Sequence, residues 1–129
     1  MINVYGSTGF VGSRFCSLYP DNVYHQLREE RKPKSSDDIL YFISTVDNYN
    51  VKSDITLDVE TNLKVLCEVL DYCRESNRTF NFISSWFVYG KSELPAKETY
   101  PCNPTGFYSI TKKCAEDLLI SFCKTYNMN

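Results

Sequence analysis

The stretch Ile2-Asn3-Val4-Tyr5-Gly6-Ser7-Thr8-Gly9-Phe10-Val11-Gly12 decides the fold. Its first four residues read as a short β-strand that stops at Gly6, and the glycines then recur at every third position into the run Phe10–Tyr19, which reads as a helix. Glycine at a strand-to-helix junction lets the backbone turn sharply. It also lets an anion approach without a Cβ in the way, and it lets helix and sheet pack closely, while the helix N-terminus presents free N–H groups. The spacing is G-x-x-G-x-x-G and not G-x-G-x-x-G, so two readings stay open: a turn shaped by glycine, or a turn that also cradles a phosphate.

Working outward, Pro20-Asp21-Asn22 punctuates the chain and Val23–Leu27 reads as a second strand. Arg28–Asp38 is charged, holds Pro33 and reads as solvated loop. Ile39–Ile43 is apolar without alternation, as expected for a strand buried on both faces of a parallel sheet. From Asp54 to Arg74 the apolar residues Val59, Leu63, Leu66, Leu70 and Cys73 recur at three and four, which predicts one long amphipathic helix. Phe80–Ile83 is a fourth strand running into Ser84-Ser85. Tyr89–Thr105, with Pro95, Pro101 and Pro104, is a loop, and the stripe Ile110, Cys114, Leu118, Phe122, Tyr126 predicts a last helix with that face inward. Strands alternating with helices give a single α/β domain over residues 1–129, with a parallel four-stranded sheet in the order 2-1-3-4. The link Arg28–Asp38 has no room for a helix, yet it must cross strand one. The path is about 18 Å, and ten extended residues reach about 33 Å, so the crossing is feasible.

Composition narrows the function classes. The chain has 129 residues, 43% of them apolar and 15% aromatic, which is enough to bury a core. Fourteen basic residues against sixteen acidic give a net charge of −2, so no basic footprint for nucleic acid or an anionic membrane exists. The longest apolar run, Ile39–Ile43, falls far below the ~20 residues of a bilayer crossing. Met1 leads directly into Ile2-Asn3-Val4 with no secretory leader pattern, and the expected location is the cytoplasm. The six cysteines form no C-x-x-C pair and read as free buried thiols, with no metal site expected. His25, the only histidine, reads as structural.

Two further constellations carry chemistry. Tyr108 and Lys112 lie one helical turn apart, so both project from one face. A phenol of pKa about 10 is a poor base at neutral pH, and a nearby ammonium helps to bring it down. Ser84-Ser85 closes a buried strand at its C-terminal end, where open α/β sheets place their ligands. Two readings stay open: a hydroxyl there donates to a substrate oxygen, or the two serines only cap the strand end.

Taken in order, Gly6–Gly12, Phe42-Ile43-Ser44, Asn62-Leu63-Lys64, Ser84–Gly90, Glu98, and Pro104 four residues before Tyr108 resemble the extended short-chain dehydrogenase/reductase family, the NAD-dependent epimerase/dehydratase group that acts on nucleotide sugars. The resemblance implies a Rossmann-like domain and a nicotinamide dinucleotide. It makes Tyr108 the catalytic acid/base, Lys112 the holder of the nicotinamide ribose, and Ser85, five residues before Gly90, the group that orients the substrate oxygen. It places Gly6, Gly9 and Gly12 at the pyrophosphate, with the N–H groups of Phe10 and Val11, and it places Phe42, Ser44 and Asn62 along the cofactor groove.

The sequence also departs from the family pattern. Members that dehydrate the sugar carry Asp-Glu where this chain has Trp86 and Phe87, and decarboxylating members carry Glu at the place of Phe87. Epimerisation or carbonyl reduction remains. At the end of strand two the family's acidic residue for the adenosine ribose is replaced by His25-Gln26-Leu27-Arg28; Arg28, with Arg31, Lys32 and Lys34 nearby, could hold a 2′-phosphate, which leaves NAD or NADP with a slight lean to NADP, or it belongs to a solvated basic loop. The short Arg28–Asp38 segment lacks the family's adenine contacts. The substrate domain that follows in the family is absent, which predicts an exposed apolar sheet edge at Phe80–Ile83 and self-association. The competing reading is a non-catalytic dinucleotide-binding remnant, or an N-terminal fragment with no activity alone.

Overall fold

The computed structural model describes residues 1–46, 50–74 and 77–129. Among these, β1 (Ile2–Tyr5), β2 (Val23–His25), β3 (Ile39–Tyr41) and β4 (Phe80–Phe82) form one sheet in the order β2-β1-β3-β4. All three pairings are parallel, and Val4 stands opposite His25 on one side and Leu40 on the other. This is the expected order, with β2, β3 and β4 each ending one or two residues sooner than the apolar runs that encode them.

Alternation along the strands sends side chains to two separate cores. Val4 and Val23 pack with Cys16 beneath α1 (Phe10–Leu18). On the opposite face Tyr5, Ile39, Tyr41 and Phe80 pack against Leu66, Val69, Leu70, Ala115 and Leu119. These come from α3 (Val65–Asp71) and α4 (Phe107–Tyr126), so helices cover both faces. Each fully buried aliphatic side chain contributes roughly 1.5–3 kcal/mol, and that is why the strands read as continuous apolar runs.

The glycine turn is set by close approach. Gly6 has φ +77, and Gly12, inside α1, lies so near the turn that a Cβ there would sit 2.2 Å from the Gly6 carbonyl oxygen. No side chain fits between them, and α1 is held against the end of β1.

The helix-free crossover is fastened to β1 by side chains. The amide of Asn3, fully buried, donates from Nδ2 to the carbonyl of Asp37 (3.0 Å) and to Ser35 Oγ (3.1 Å). Its Oδ1 accepts from Gln26 Nε2 (3.0 Å) and from the Ser35 N–H (3.2 Å). Two residues along, the Tyr5 hydroxyl donates to the Arg31 carbonyl at 2.6 Å. Asn3 and Tyr5 share a strand face, so the link runs across the face that the helices α3 and α4 also cover.

Two expectations need correction. The helix expected over 54–74 runs as α2 (Leu57–Val59), a π-helical stretch Glu60–Lys64, and α3, with Val59 exposed. Its buried residues are Asp58, Asn62, Leu66, Val69, Leu70 and Cys73, with Leu63 packed against the same core, so the expected face holds from Leu63 onward and fails at Val59, where Asp58, Asn62, Leu66 and Leu70 stand four apart. A strict spacing of four drifts away from 3.6 per turn, and the wider π stretch keeps these residues on one face. In α4 the stripe Ile110, Cys114, Leu118, Tyr126 is exposed, with Phe122 half-buried, and the face turned inward is Ser109, Thr111, Lys112, Ala115 and Leu119. An apolar stripe wins the interior only when nothing else must be held there, and Lys112 and Thr111 bond into the sheet side (below).

No disulfide joins any of the six cysteines; Cys16 and Cys73 are buried as expected, whereas Cys67, Cys102 and Cys114 are exposed. The edge at β4 is covered at its start, where the Phe80 N–H donates to the Asn129 carbonyl at 2.8 Å. No helix among the described residues is long and apolar enough to cross a membrane.

Two substitutions test this account by urea denaturation. Asn3→Ala strands the Gln26 amide and the Ser35 N–H, and it is expected to cost about 2–4 kcal/mol. Asp58 is 2% exposed with neither carboxylate oxygen hydrogen-bonded among the described residues, so Asp58→Ala is expected to raise stability by about 1–3 kcal/mol.

Candidate active site

The C-terminal ends of β1, β2 and β3 open into a groove of about 430 Å³. Gly6, Thr8 and Gly9 line it from the glycine turn, Gln26 and Arg28 from the end of β2, Phe42 and Ser44 from the end of β3, and Thr61 and Lys64 from the π stretch. It lies where β1 sends connections to both sides, the switch point at which open parallel sheets bind ligands. Gly9 caps α1 without a side-chain hydrogen bond, so the first N–H groups of the helix, at Phe10 and Val11, are not capped by a side chain. Phe10 itself is 96% exposed and Val11 is exposed. Of the cations along the groove, Arg31 is paired with Glu68 (2.7 Å) and Lys64 with Glu60 (3.1 Å). Arg28 has no carboxylate partner among the described residues, and Glu29 borders the groove beside it.

Asn62 does not line this groove. It is 2% exposed and lies behind the groove, where Oδ1 accepts from the Thr45 N–H and Nδ2 donates to Thr45 Oγ1, both at 2.9 Å, and to Thr111 Oγ1 at 3.0 Å. It ties the segment after β3 to α4. The sequence carries no sign of this brace, since its partners stand 17 and 49 residues away.

The second part of the site is one face of α4. Tyr108, Lys112 and Glu116 recur every four residues, and each touches the segment that follows β4. The ring of Phe87 meets Tyr108 edge-on, centroids 6.0 Å apart. Lys112 Nζ donates to the Ile83 carbonyl at 2.8 Å and lies 4.2 Å from the centre of the Phe82 ring. The Ser84 hydroxyl donates to the Glu116 carboxylate. Ser85 begins a 3-10 turn, Trp86–Tyr89, and its Oγ accepts from the Phe87 N–H at 3.3 Å. Of the two serines, Ser84 spends its hydroxyl proton on Glu116, whereas no acceptor for the Ser85 hydroxyl stands among the described residues. Glu116 was legible in principle from its spacing to Tyr108 and Lys112, and sequence reading passed over it.

Comparison with known proteins covers β2 to α4 by sequence and nearly the whole chain by fold. The sequence model of the NAD dependent epimerase/dehydratase family matches residues 25–129, and the chain belongs to that family. It is 30% identical over 97 residues to a dTDP-glucose 4,6-dehydratase of Mycolicibacterium smegmatis, covering 72% of this chain and 29% of that protein. Its fold is similar to that of UDP-glucuronic acid 4-epimerase from Bacillus cereus, solved with UDP-glucuronic acid and NAD: TM-score 0.86, 20% identity, covering 98% of this chain and 53% of that one. It is also similar to RMD from Pseudomonas aeruginosa, solved with NADPH: TM-score 0.83, 21% identity, 98% of this chain and 50% of that one. The chain thus spans about half the length of these solved structures.

Burial gives Lys112 a pH signature. Desolvation pulls its pKa down to about 8, opposed in part by the Glu116 charge. An unfolded lysine titrates near ~10.4, so between those values the unfolded chain holds more protons and stability rises with pH. Tyr5, Tyr41 and Cys73, whose burial raises their pKa, act with the opposite sign at high pH, and a difference measurement removes them. The stability of the wild type relative to Lys112→Met is expected to increase by up to about 3 kcal/mol from pH 8 to about 10.4. A flat difference across that range would remove the buried ammonium.

Proposed function

We propose that this chain forms the dinucleotide-binding half of an enzyme that epimerises or reduces a nucleotide sugar through Ser85, Tyr108 and Lys112. The observation that carries the reading is the alignment of Tyr108 and Lys112 along Ile83–Phe87, beside a serine whose hydroxyl has no acceptor among the described residues.

The groove suits a nicotinamide dinucleotide. Gly6 and Gly9 leave the backbone open to a pyrophosphate, Gly12 lets α1 close on the turn so that the uncapped Phe10 and Val11 N–H groups would reach it, and Phe42 and Ser44 border the path beyond. Arg28 favours a 2′-phosphate and hence NADP. A bound nicotinamide would supply hydride exchange with a sugar carbon. Tyr108 takes the proton of the sugar hydroxyl as that happens, and Ser85 donates to the same oxygen. Lys112, swung from the Ile83 carbonyl, would hold the ribose and stabilise the phenolate. Trp86 and Phe87 follow Ser85, so neither of those two positions supplies an acid to expel a C6 hydroxyl. That favours epimerisation or reduction over the dehydration named for the mycobacterial relative.

A second reading, a dinucleotide-binding module without catalysis, draws on the inward turn of Lys112, whose ammonium is already bonded to Ile83.

Titration with NAD and NADP tests the groove: Arg28→Gln is expected to weaken NADP about tenfold and to leave NAD within about twofold. The 129-residue chain by itself is expected to turn over nucleotide sugars poorly, because holding the sugar carbon against the nicotinamide is worth up to roughly 7–11 kcal/mol and needs a substrate-binding part. In a form joined to such a part, Tyr108→Phe is expected to lower turnover about 10²–10⁴-fold with dinucleotide affinity unchanged. Undiminished turnover would overturn the acid/base role, and dinucleotide binding with no turnover in the joined form would favour the second reading.

A further inference from the structure

The far wall of the groove is a balanced set of charges. Arg28, Glu29 and Arg31 come from the helix-free crossover, and Glu60, Lys64 and Glu68 come from the helical segment opposite. Three cations meet three carboxylates, so an anion that enters here gains no net attraction. One pair bridges the two sides. Arg31 Nε donates to Glu68 at 2.7 Å, and Arg31 Nη1 donates to the Arg28 carbonyl, also at 2.7 Å. The backbone of Arg31 is fixed independently, because its carbonyl accepts from the Tyr5 hydroxyl at 2.6 Å. The guanidinium can therefore change partners while the crossover stays in place.

Close to this pair stands a phenol with no acceptor. Tyr41 is fully buried, its hydroxyl has no partner among the described residues, and it lies within electrostatic reach of both Arg31 and Glu68. Burial above all raises its pKa, so the hydroxyl keeps its proton at neutral pH and remains a donor. A buried donor without an acceptor destabilises the state that leaves it so. Glu68 is the acceptor at hand, and its side chain is 40% exposed and has room to turn. Lys64, whose pKa is raised by Glu60 first and by Glu68 next, keeps a cation beside that carboxylate.

Resting on the function proposed above, we infer that Arg31 is a second phosphate-binding group of the groove, latched by Glu68 until a phosphate monoester on the ligand draws it away, and that Tyr41 then receives Glu68. A partly exposed carboxylate holds a guanidinium weakly, whereas a dianionic phosphate engages it through two charge-assisted hydrogen bonds. The orphaned Tyr41 hydroxyl gains its acceptor in the same exchange. With Glu68 turned away, three cations face two carboxylates along the wall, so the groove attracts an anion only as it admits one. A ligand without the monoester leaves the latch shut. Arg31 is thus a binding residue, and Glu68 and Tyr41 are positioning residues that act through it.

The ¹⁵N-labelled full chain is titrated with NADP, which carries a phosphate monoester on its adenosine ribose, and with NAD, which lacks it. Glu68→Ala frees Arg31 and is expected to tighten NADP about fivefold while leaving NAD within about twofold. A merely structural role for Glu68 would weaken both alike. Arg31→Gln in the Glu68→Ala background should cancel the gain. Tyr41→Phe removes only a hydroxyl without a partner, and it is expected to weaken NADP about threefold, to spare NAD, and to have no effect once Glu68 is alanine. The wild type supplies a measurement that needs no substitution: the Arg31 Nε–H resonance should move on saturation with NADP and stay in place with NAD. Unchanged or weaker NADP binding by folded Glu68→Ala, a Tyr41→Phe effect shared by NAD, or an Arg31 resonance that ignores NADP would overturn the latch. The amides of Gly9 and Gly12 report either dinucleotide independently, so their shifts keep the dinucleotide reading when the latch alone fails. Their silence toward both ligands removes the reading and the latch together.

Discussion

The side-chain amide of Asn3 holds the order of this sheet. A parallel sheet normally carries its crossovers on helices, which cover a face and fix the spacing of the strands they join. Here the link from β2 to β3 is only a loop, and the loop is held by one buried amide that binds Ser35 and Asp37 on the crossover and Gln26 at the end of β2. The three strands whose C-terminal ends make the groove are therefore fastened at one residue. Gly6 and Gly12 complete the arrangement by bringing α1 to the mouth of that groove at a distance no side chain permits.

The α4 side of the candidate site depends on a different compromise. Lys112 is 2% exposed, an expensive place for an ammonium, and it is tolerated because the Ile83 carbonyl and the Phe82 ring take up its charge. That lysine, with Thr111 bound to Asn62, sets the rotation of α4 about its own axis. Tyr108 then follows along the same face toward Phe87. The polar contacts dictate which face of α4 turns inward, and the apolar stripe Ile110, Cys114, Leu118 is left outside.

This explains which parts of the structure were legible in the sequence. The glycine turn and the four strands depend on local rules, backbone conformation and apolar runs, and they stand where Ile2–Gly12, Val23–Leu27, Ile39–Ile43 and Phe80–Ile83 place them. The phases of the helices do not depend on local rules alone. Val59 and Ile110 have the right spacing for a core face, yet Asn62, Thr111 and Lys112 turn it elsewhere through partners that are distant in sequence. The site divides in the same way. Gly6, Gly9, Phe42 and Ser44 gather where their position after a strand puts them, while the burial of Asn62 and the role of Glu116 need the packed helix to be seen.

The two buried thiols lie on opposite sides of the sheet, Cys16 in the core under α1 and Cys73 in the core under α3 and α4. They make a built-in pair of clocks. The rate at which a thiol reagent reaches each one times the opening of its own layer, without any label being introduced. Equal rates would mean that the sheet and both layers open as one cooperative body, held together through β1. A faster Cys16 would mean that α1 lifts from the glycine turn by itself, so that the groove opens and closes while the helix bearing Tyr108 stays in place.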